Sequence, residues 1–196
     1  MPLQIQSNVD LLPYNTFHVS CIADHFVIVR SVTDIQELLK TDTYQKTNDK
    51  LILGGGSNML LARDRFPGLV IKNEILWKEI LEQTFADVMI DVGAGENRNE
   101  LVRRILQQGR VGLENRVSIP GTVGAAPVQN IGAYGAEIQE HLVSVTGVNL
   151  TTWTVHTLTK ESCHFSYRDS IFKHELKDIF FITSVTFSLQ TYDPLT

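Results

Sequence analysis

Residues 118–135 read Ser-Ile-Pro-Gly-Thr-Val-Gly-Ala-Ala-Pro-Val-Gln-Asn-Ile-Gly-Ala-Tyr-Gly, a stretch of small residues without a charge. Such a run suits neither a helix nor an ordinary strand, and it implies that something lies very close to its backbone. Gly121, Gly124, Gly132 and Gly135 permit conformations that other residues resist, and Ala125, Ala126 and Ala133 are too short to block a flat or extended ligand. The same logic recurs upstream. Leu51-Ile52-Leu53-Gly54-Gly55-Gly56-Ser57-Asn58 is a short apolar strand running into three glycines, a hydroxyl and an amide. That composition suits a turn whose bare N–H groups surround an anion. Two glycine-rich elements of different character suggest one large cofactor held at two places.

Composition narrows the class. A chain of 196 residues accommodates one domain, or two small lobes sharing a site. Its hydrophobic fraction of 43% and charged fraction of 20% exclude a disordered or fibrous protein. A net charge of −5 without any block of Lys and Arg argues against a nucleic-acid partner. No apolar stretch approaches the ~20 residues that span a bilayer, and Met1-Pro2-Leu3-Gln4-Ile5-Gln6 lacks the regions of a secretion signal, so no membrane partner and a cytoplasmic location are expected. Cys21 and Cys163 form no CxxC, and the six histidines no HExxH, so reduced structural thiols and no metal are expected.

Along the chain, Phe26–Arg30 reads as a strand, Thr33–Leu39 as a capped helix and Leu51–Leu53 as a strand, a β-α-β start that delivers the glycine turn. Gly68–Lys72 reads as the next strand. Alternation over Trp77–Leu81 and Val88–Val92 predicts a hairpin before Gly93-Ala94-Gly95. Asn97 begins a helix with Leu101, Val102, Ile105 and Leu106 on one face, and Gly109 stops it. Arg103 and Arg104 on the other face are either an anion site or a solvated surface. Leu142–Leu150 and Thr152–Leu158 read as a hairpin turning near Asn149, and Ile179–Leu189 as a long buried strand. The last residues, Thr191 to Thr196, follow that strand directly.

Two constellations carry chemistry. In the Gly54–Asn58 turn, glycine permits close approach while Ser57 and Asn58 add donors without charge, either for a phosphate or for an ordinary turn. It lacks the Lys-Ser/Thr of a nucleotide-triphosphatase loop, and Met59-Leu60-Leu61 breaks the GxGxxG spacing. In Tyr167-Arg168-Asp169-Ser170, an arginine among aromatic and apolar neighbours either meets an anionic ligand or pairs internally, with Asp169 or another acid.

Asn15-Thr16-Phe17, Gly54-Gly55-Gly56-Ser57-Asn58, Gly93-Ala94-Gly95-Glu96, Gly112-Leu113-Glu114-Asn115, Ile119-Pro120-Gly121-Thr122-Val123-Gly124, Gln129-Asn130-Ile131-Gly132-Ala133-Tyr134-Gly135 and Tyr167-Arg168-Asp169-Ser170-Ile171-Phe172-Lys173 follow one another in a telling order. From about residue 13 to 190 the chain thereby resembles the bacterial UDP-N-acetylenolpyruvoylglucosamine reductases, MurB. The resemblance implies an α+β, two-lobed FAD-binding module of the vanillyl-alcohol oxidase and p-cresol methylhydroxylase type, with residues 1–75 as the first lobe and 76–196 as the second. It implies FAD as cofactor and NADPH as electron donor, for reduction of UDP-N-acetylenolpyruvoylglucosamine to UDP-N-acetylmuramate in peptidoglycan precursor synthesis by a monomer. Gly54, Gly55, Gly56, Ser57 and Asn58 would hold the pyrophosphate, next to Ile52 and Leu53. Pro120, Gly121, Thr122, Gly124 and Ala125, then Val128, Gln129, Asn130, Gly132 and Ala133, would pass along the flavin and its ribityl chain. Ile182 would pack near the cofactor. Arg168 would be the catalytic arginine at the carboxylate and enol oxygen of the substrate, with Tyr134 and Tyr167 lining the substrate region. Bulky substitution of Gly55 or Gly124 is then expected to expel the cofactor and leave the fold largely intact.

Two departures qualify the resemblance. His18 stands where the family commonly has glycine, and Ala125 where some members have serine near flavin N5. The family also continues into a third domain with a proton-donating serine and an assisting glutamate. Residues 1–196 hold no match for that pair, so the chain is read as the FAD-binding portion and is expected to be inactive alone. The alternatives are a non-catalytic FAD-binding module and another flavoprotein oxidoreductase of the same fold.

Overall fold

The computed structural model describes residues 3–116 and 119–192; Ser118, the first residue of the small-residue run, and residues 193–196 lie outside it. Its first sheet takes β1 (Ile5–Asp10), β2 (Ile22–Val29), β3 (Lys50–Leu53) and β4 (Arg65–Asn73) in the order β1-β2-β4-β3. β1 lies antiparallel to β2, whereas β2 and β3 both run parallel to β4. Parallel strands need a crossover, and α1 (Val32–Leu39) with α2 (Asp42–Lys46) supplies the one from β2 to β3. A capping box starts α1: Ser31 Oγ accepts from the Asp34 N–H, and the Asp34 carboxylate accepts from the Ser31 N–H. Ile35, Leu38 and Leu39 then face Val27, Val29, Leu69 and Ile71 of the sheet.

The expected β-α-β start is present, but its two strands are not neighbours. β4 enters between them because Leu69, Val70 and Ile71 are apolar on both faces and take the buried central position. β1 and α2 have no counterpart in the sequence pattern. The burial of β1 follows no strict alternation, and α2 buries no residue, so neither leaves a periodic signal.

The second sheet begins with the hairpin of β5 (Lys78–Gln83) and β6 (Asp87–Gly93). Asn97 caps α3 (Arg98–Gln107) by accepting from the Glu100 N–H, and Leu101, Val102 and Ile105 are buried. Leu106, expected on that face, is 37% exposed, because the ~100° step beyond Ile105 turns it to the rim. Gly109 ends the helix in the left-handed region at φ +69°, donating to the Leu106 carbonyl. Arg103 and Arg104 are exposed. After β7 (Arg110–Val111), β8 (Gly132–Ala133) pairs β9 (Ala136–Glu137) as a small separate ribbon. β10 (Leu142–Asn149) and β11 (Val155–Thr159) form the second hairpin, whose turn is fixed by Asn149 Oδ1 accepting from the Thr151 and Thr152 N–H groups. β12 (Phe180–Thr191) occupies the middle of the order β11-β10-β12-β6-β5, with β7 pairing its end.

The two sheets share a core and one buried amide. Val148, Leu150 and Phe181 of the second sheet region belong to the cluster that packs α1 on the first. Asn73, at the end of β4, is 5% exposed; its Nδ2 donates to the Ile182 carbonyl of β12 at 2.9 Å, and its Oδ1 accepts from the Ile75 N–H. Cys21 and Cys163 are buried and free. Burial, with a smaller contribution from Glu161, pushes the Cys163 thiol up to about 12, so it stays a packing group. Among the described residues no cluster of His, Cys, Asp and Glu is placed to hold a metal, and no helix is long and apolar enough to cross a membrane.

Candidate cofactor site

The chain leaves β3 at buried Leu53 and opens at once into the glycine turn. Gly56 takes φ +63° with its Cα against Tyr14, where a Cβ would stand 2.0 Å from the carbonyl oxygen; the Thr16 N–H donates to the Gly56 carbonyl. The Tyr14–His18 loop therefore closes one side of the turn. Asn15 gives that loop its shape from within, donating to the Leu11 and Val19 carbonyls at 2.8 and 2.9 Å and accepting from the Val19 N–H. Between loop and turn lies a cleft of about 280 Å³ lined by Tyr14, Thr16, His18, Gly54, Gly55 and Lys72 among others.

The Gly-Ala run closes the other side. A Cβ on Gly54 would meet Thr122 Oγ1 at 2.7 Å and Ala125 Cβ at 3.6 Å, and one on Gly55 would meet Gly121 Cα at 3.1 Å. Asn58 Nδ2 donates to Gln129 Oε1 at 3.0 Å. The two glycine-rich elements thus touch each other and form one continuous surface, with Gly55, Asn58 and Ala125 facing out and Thr122 and Gly124 turned in. Beneath it, Arg98 Nη2 donates to the Ile119 and Pro120 carbonyls at 2.7 and 2.8 Å. The Val123 and Gly124 N–H groups reach the Glu96 and Ala94 carbonyls.

This arrangement corrects the reading of Gly124. A Cβ there would lie 2.5 Å from Ala94 Cβ, so the residue is small to admit the chain's own Gly93–Gly95 segment, and a bulky substitution cannot leave the fold intact. Gly55 is different: it is exposed, and a Cβ there would need the Gly121 backbone to move by only a few tenths of an ångström.

The far end of the run meets the Arg168 segment. Arg168 Nη2 donates to the Gly132 carbonyl at 2.7 Å, and Asp169 pairs not with Arg168 but with His174 Nε2 at 2.7 Å. The internal Arg168–Asp169 pair considered from sequence therefore does not form. His174's hydrogen bond holds the Asp169 carboxyl below the usual carboxylate range. Lys173 Nζ donates to the Arg168 carbonyl and Ser170 Oγ to the Val128 carbonyl, both anchoring the loop. Arg168 and Tyr134 both adopt left-handed backbone, at φ +55° and +53°, and Tyr134 and Tyr167 are 92% and 83% exposed. Non-glycine residues held there cost conformational energy that the surroundings must over-determine, a feature that clusters at functional surfaces.

Two residues expected at the cofactor are buried. Asn130 is fully buried, its amide donating to Glu137 Oε2 and the Ser166 carbonyl and accepting from the Gln139 N–H. Ile182 is 6% exposed in the core, with its carbonyl on Asn73.

The model of the FAD binding domain family matches residues 23–158. The chain belongs to that FAD-binding domain family. A UDP-N-acetylenolpyruvoylglucosamine reductase of Flavobacterium johnsoniae is 44% identical over 187 residues, covering 95% of this chain and 54% of that protein. The chain thus spans about half the length of the curated relatives it matches. The structure of the same enzyme, MurB, from Thermus caldophilus superposes with a TM-score of 0.74 at 24% identity, over 97% of this chain and 63% of that one. p-Cresol methylhydroxylase with substrate bound gives 0.61 at 15% identity, over 94% and 39%. The α+β fold of the vanillyl-alcohol oxidase and p-cresol methylhydroxylase type is therefore present.

Two residues of this FAD-binding domain escaped the sequence reading. Arg98 opens α3 directly after its cap, where it reads as a solvated helix residue, yet it is 3% exposed and clamps the Pro120 turn. Lys72 lies one residue before the end of β4, and its charge in Leu69-Val70-Ile71-Lys72 is the available signal. Its Nζ donates to the Gly54 carbonyl at 2.8 Å.

Proposed function

We propose that this chain is the FAD-binding part of a UDP-N-acetylenolpyruvoylglucosamine reductase, which uses NADPH to form UDP-N-acetylmuramate for peptidoglycan synthesis. The observation that carries the reading is the continuous surface from the Gly54–Asn58 turn across Ala125 to Gln129 and on to Gly132, where Arg168 is anchored. Its bare backbone at the Gly54–Asn58 turn and the bordering lysine fit a dinucleotide whose diphosphate lies at the turn. Bound FAD would supply hydride transfer between NADPH and the enolpyruvyl double bond.

In this reading residues 1–75 and 76–196 are the two lobes. Ile52 to Asn58 hold the diphosphate end; Pro120, Gly121, Ala125, Gln129, Gly132 and Ala133 line the flavin side. Thr122, Gly124, Val128, Asn130 and Ile182 keep that surface in shape. Arg168 faces the substrate carboxylate, where a fixed cation stabilises the charge that develops on reduction, by about 3 kcal/mol for a strong contact. Tyr134 and Tyr167 border the sugar nucleotide. In this reading the protein works as a monomer in the cytoplasm, where NADPH is at hand.

The test is to mix the purified chain with FAD, desalt it, and record flavin absorbance per chain. About one flavin is expected for the wild type and for Arg168→Ala, and a loss of more than about tenfold for Gly55→Leu with far-UV circular dichroism unchanged. A wild type that retains no flavin would overturn the reading.

A further inference from the structure

The Gly54–Asn58 turn carries no charge of its own, yet a diphosphate would bring negative charges to it. Arg98 and Lys72 both stand at this junction. Arg98 is buried and turned onto the Ile119 and Pro120 carbonyls, under the Gly-Ala run. Lys72 is different in place and surroundings. Register puts it beside Leu53, the last residue before the turn, in the strand that runs parallel to β3. Its ammonium reaches up to the Gly54 carbonyl at 2.8 Å, and the side chain forms part of the wall of the same cleft as Gly54, Gly55 and Thr16. An ammonium has three donors, so the carbonyl uses one and leaves others for a ligand in the cleft.

We propose that Lys72 is a cofactor-binding residue whose ammonium recognises the diphosphate of the dinucleotide and supplies the positive charge that the neutral glycine turn lacks. The proposal rests on the reading of that turn as the diphosphate site. Its energetic logic is that of a partly desolvated cation. Burial works against the charged form of Lys72, with Glu74 offsetting part of the effect, so the chain without ligand holds the charge at a cost that an incoming anion removes. A lysine kept only to brace the Gly54 carbonyl would make the opposite forecast. Removing such a brace would weaken the empty chain, whereas removing a recognition charge would weaken only the complex.

Lys72→Gln separates the two, because glutamine still offers a donor to Gly54 but carries no charge. FAD affinity, measured by quenching of flavin fluorescence across a salt series, is expected to fall by about tenfold or more at low salt. The dependence of affinity on salt should become shallower, while the melting temperature of the FAD-free chain stays level or rises. Lys72→Met, which keeps the apolar stem, reads the same quantities if the glutamine variant does not fold. Lys72→Arg should bind within about threefold of wild type. Wild-type FAD binding with unchanged affinity and salt dependence in Lys72→Gln or Lys72→Met would overturn the proposal, as would a lowered melting temperature without any change in affinity. If the wild type itself binds no FAD, it is the diphosphate reading of the turn that fails.

Discussion

His18 shows how a single residue can be legible only as an oddity until its backbone is known. Its imidazole is exposed, but its φ of +51° lies in the left-handed region, at the end of the loop that walls the cleft. Left-handed backbone costs a non-glycine residue roughly 1–2 kcal/mol, whereas glycine enters it without strain. This explains why glycine suits the position and why histidine here is a strained replacement. His18→Gly is expected to stabilise the chain by up to about 1 kcal/mol, after the larger entropy of glycine in the unfolded chain is set against the relief of strain. His18→Val should destabilise it by about as much. Urea midpoints at unchanged m-value check both signs, and a glycine variant less stable than wild type would mean that the imidazole contributes a contact that outweighs the strain.

At the scale of elements, the Gly-Ala run serves two masters. Its outward residues, Ala125 and Gly135 among them, leave room above the backbone, while Val123 and Gly124 are drawn down onto Glu96 and Ala94. Gly124→Val should therefore lower stability by about 2 kcal/mol or more, through overpacking against Ala94 Cβ. Pairing it with Ala94→Gly should recover a measurable part of that loss in a double-mutant cycle, since the two Cβ positions collide directly. Strict additivity of the two changes would show that the strain lies elsewhere. Local chemistry made the neighbouring elements readable: the Ser31 and Asn97 caps, the Asn149 turn and the Gly109 stop all depend on residues within a few positions of one another. β1 and α2 were unreadable because neither carries apolar periodicity.

For the whole molecule, the decisive contact is the amide of Asn73 between the two sheets. Its hydrogen bonds to the Ile182 carbonyl and the Ile75 N–H are buried, so Asn73→Ala removes both and opens a gap at the junction. A loss of about 2–4 kcal/mol is expected, together with a cooperative transition in which tryptophan fluorescence and circular dichroism still coincide. The shared cluster of Val148, Leu150 and Phe181 with the α1 side predicts that coincidence; two separated transitions would show that the sheets unfold independently.

The sequence by itself determined the chain's two glycine-rich elements, most of its strands, the ends of α1 and α3 and the motif order on which its resemblance rests. These depend on residue chemistry acting over short stretches. Tertiary structure decided the strand order, with β4 between β2 and β3, and the roles of Lys72, Asn73 and Arg98. It also decided which glycines face outward and which are small for the protein's own sake. The physical reason is distance along the chain. Asn58 and Gln129 are 71 residues apart and Asn73 and Ile182 are 109 apart, and no local pattern records a partner so remote. A side chain's burial and its hydrogen-bond partners come into being only when those segments pack.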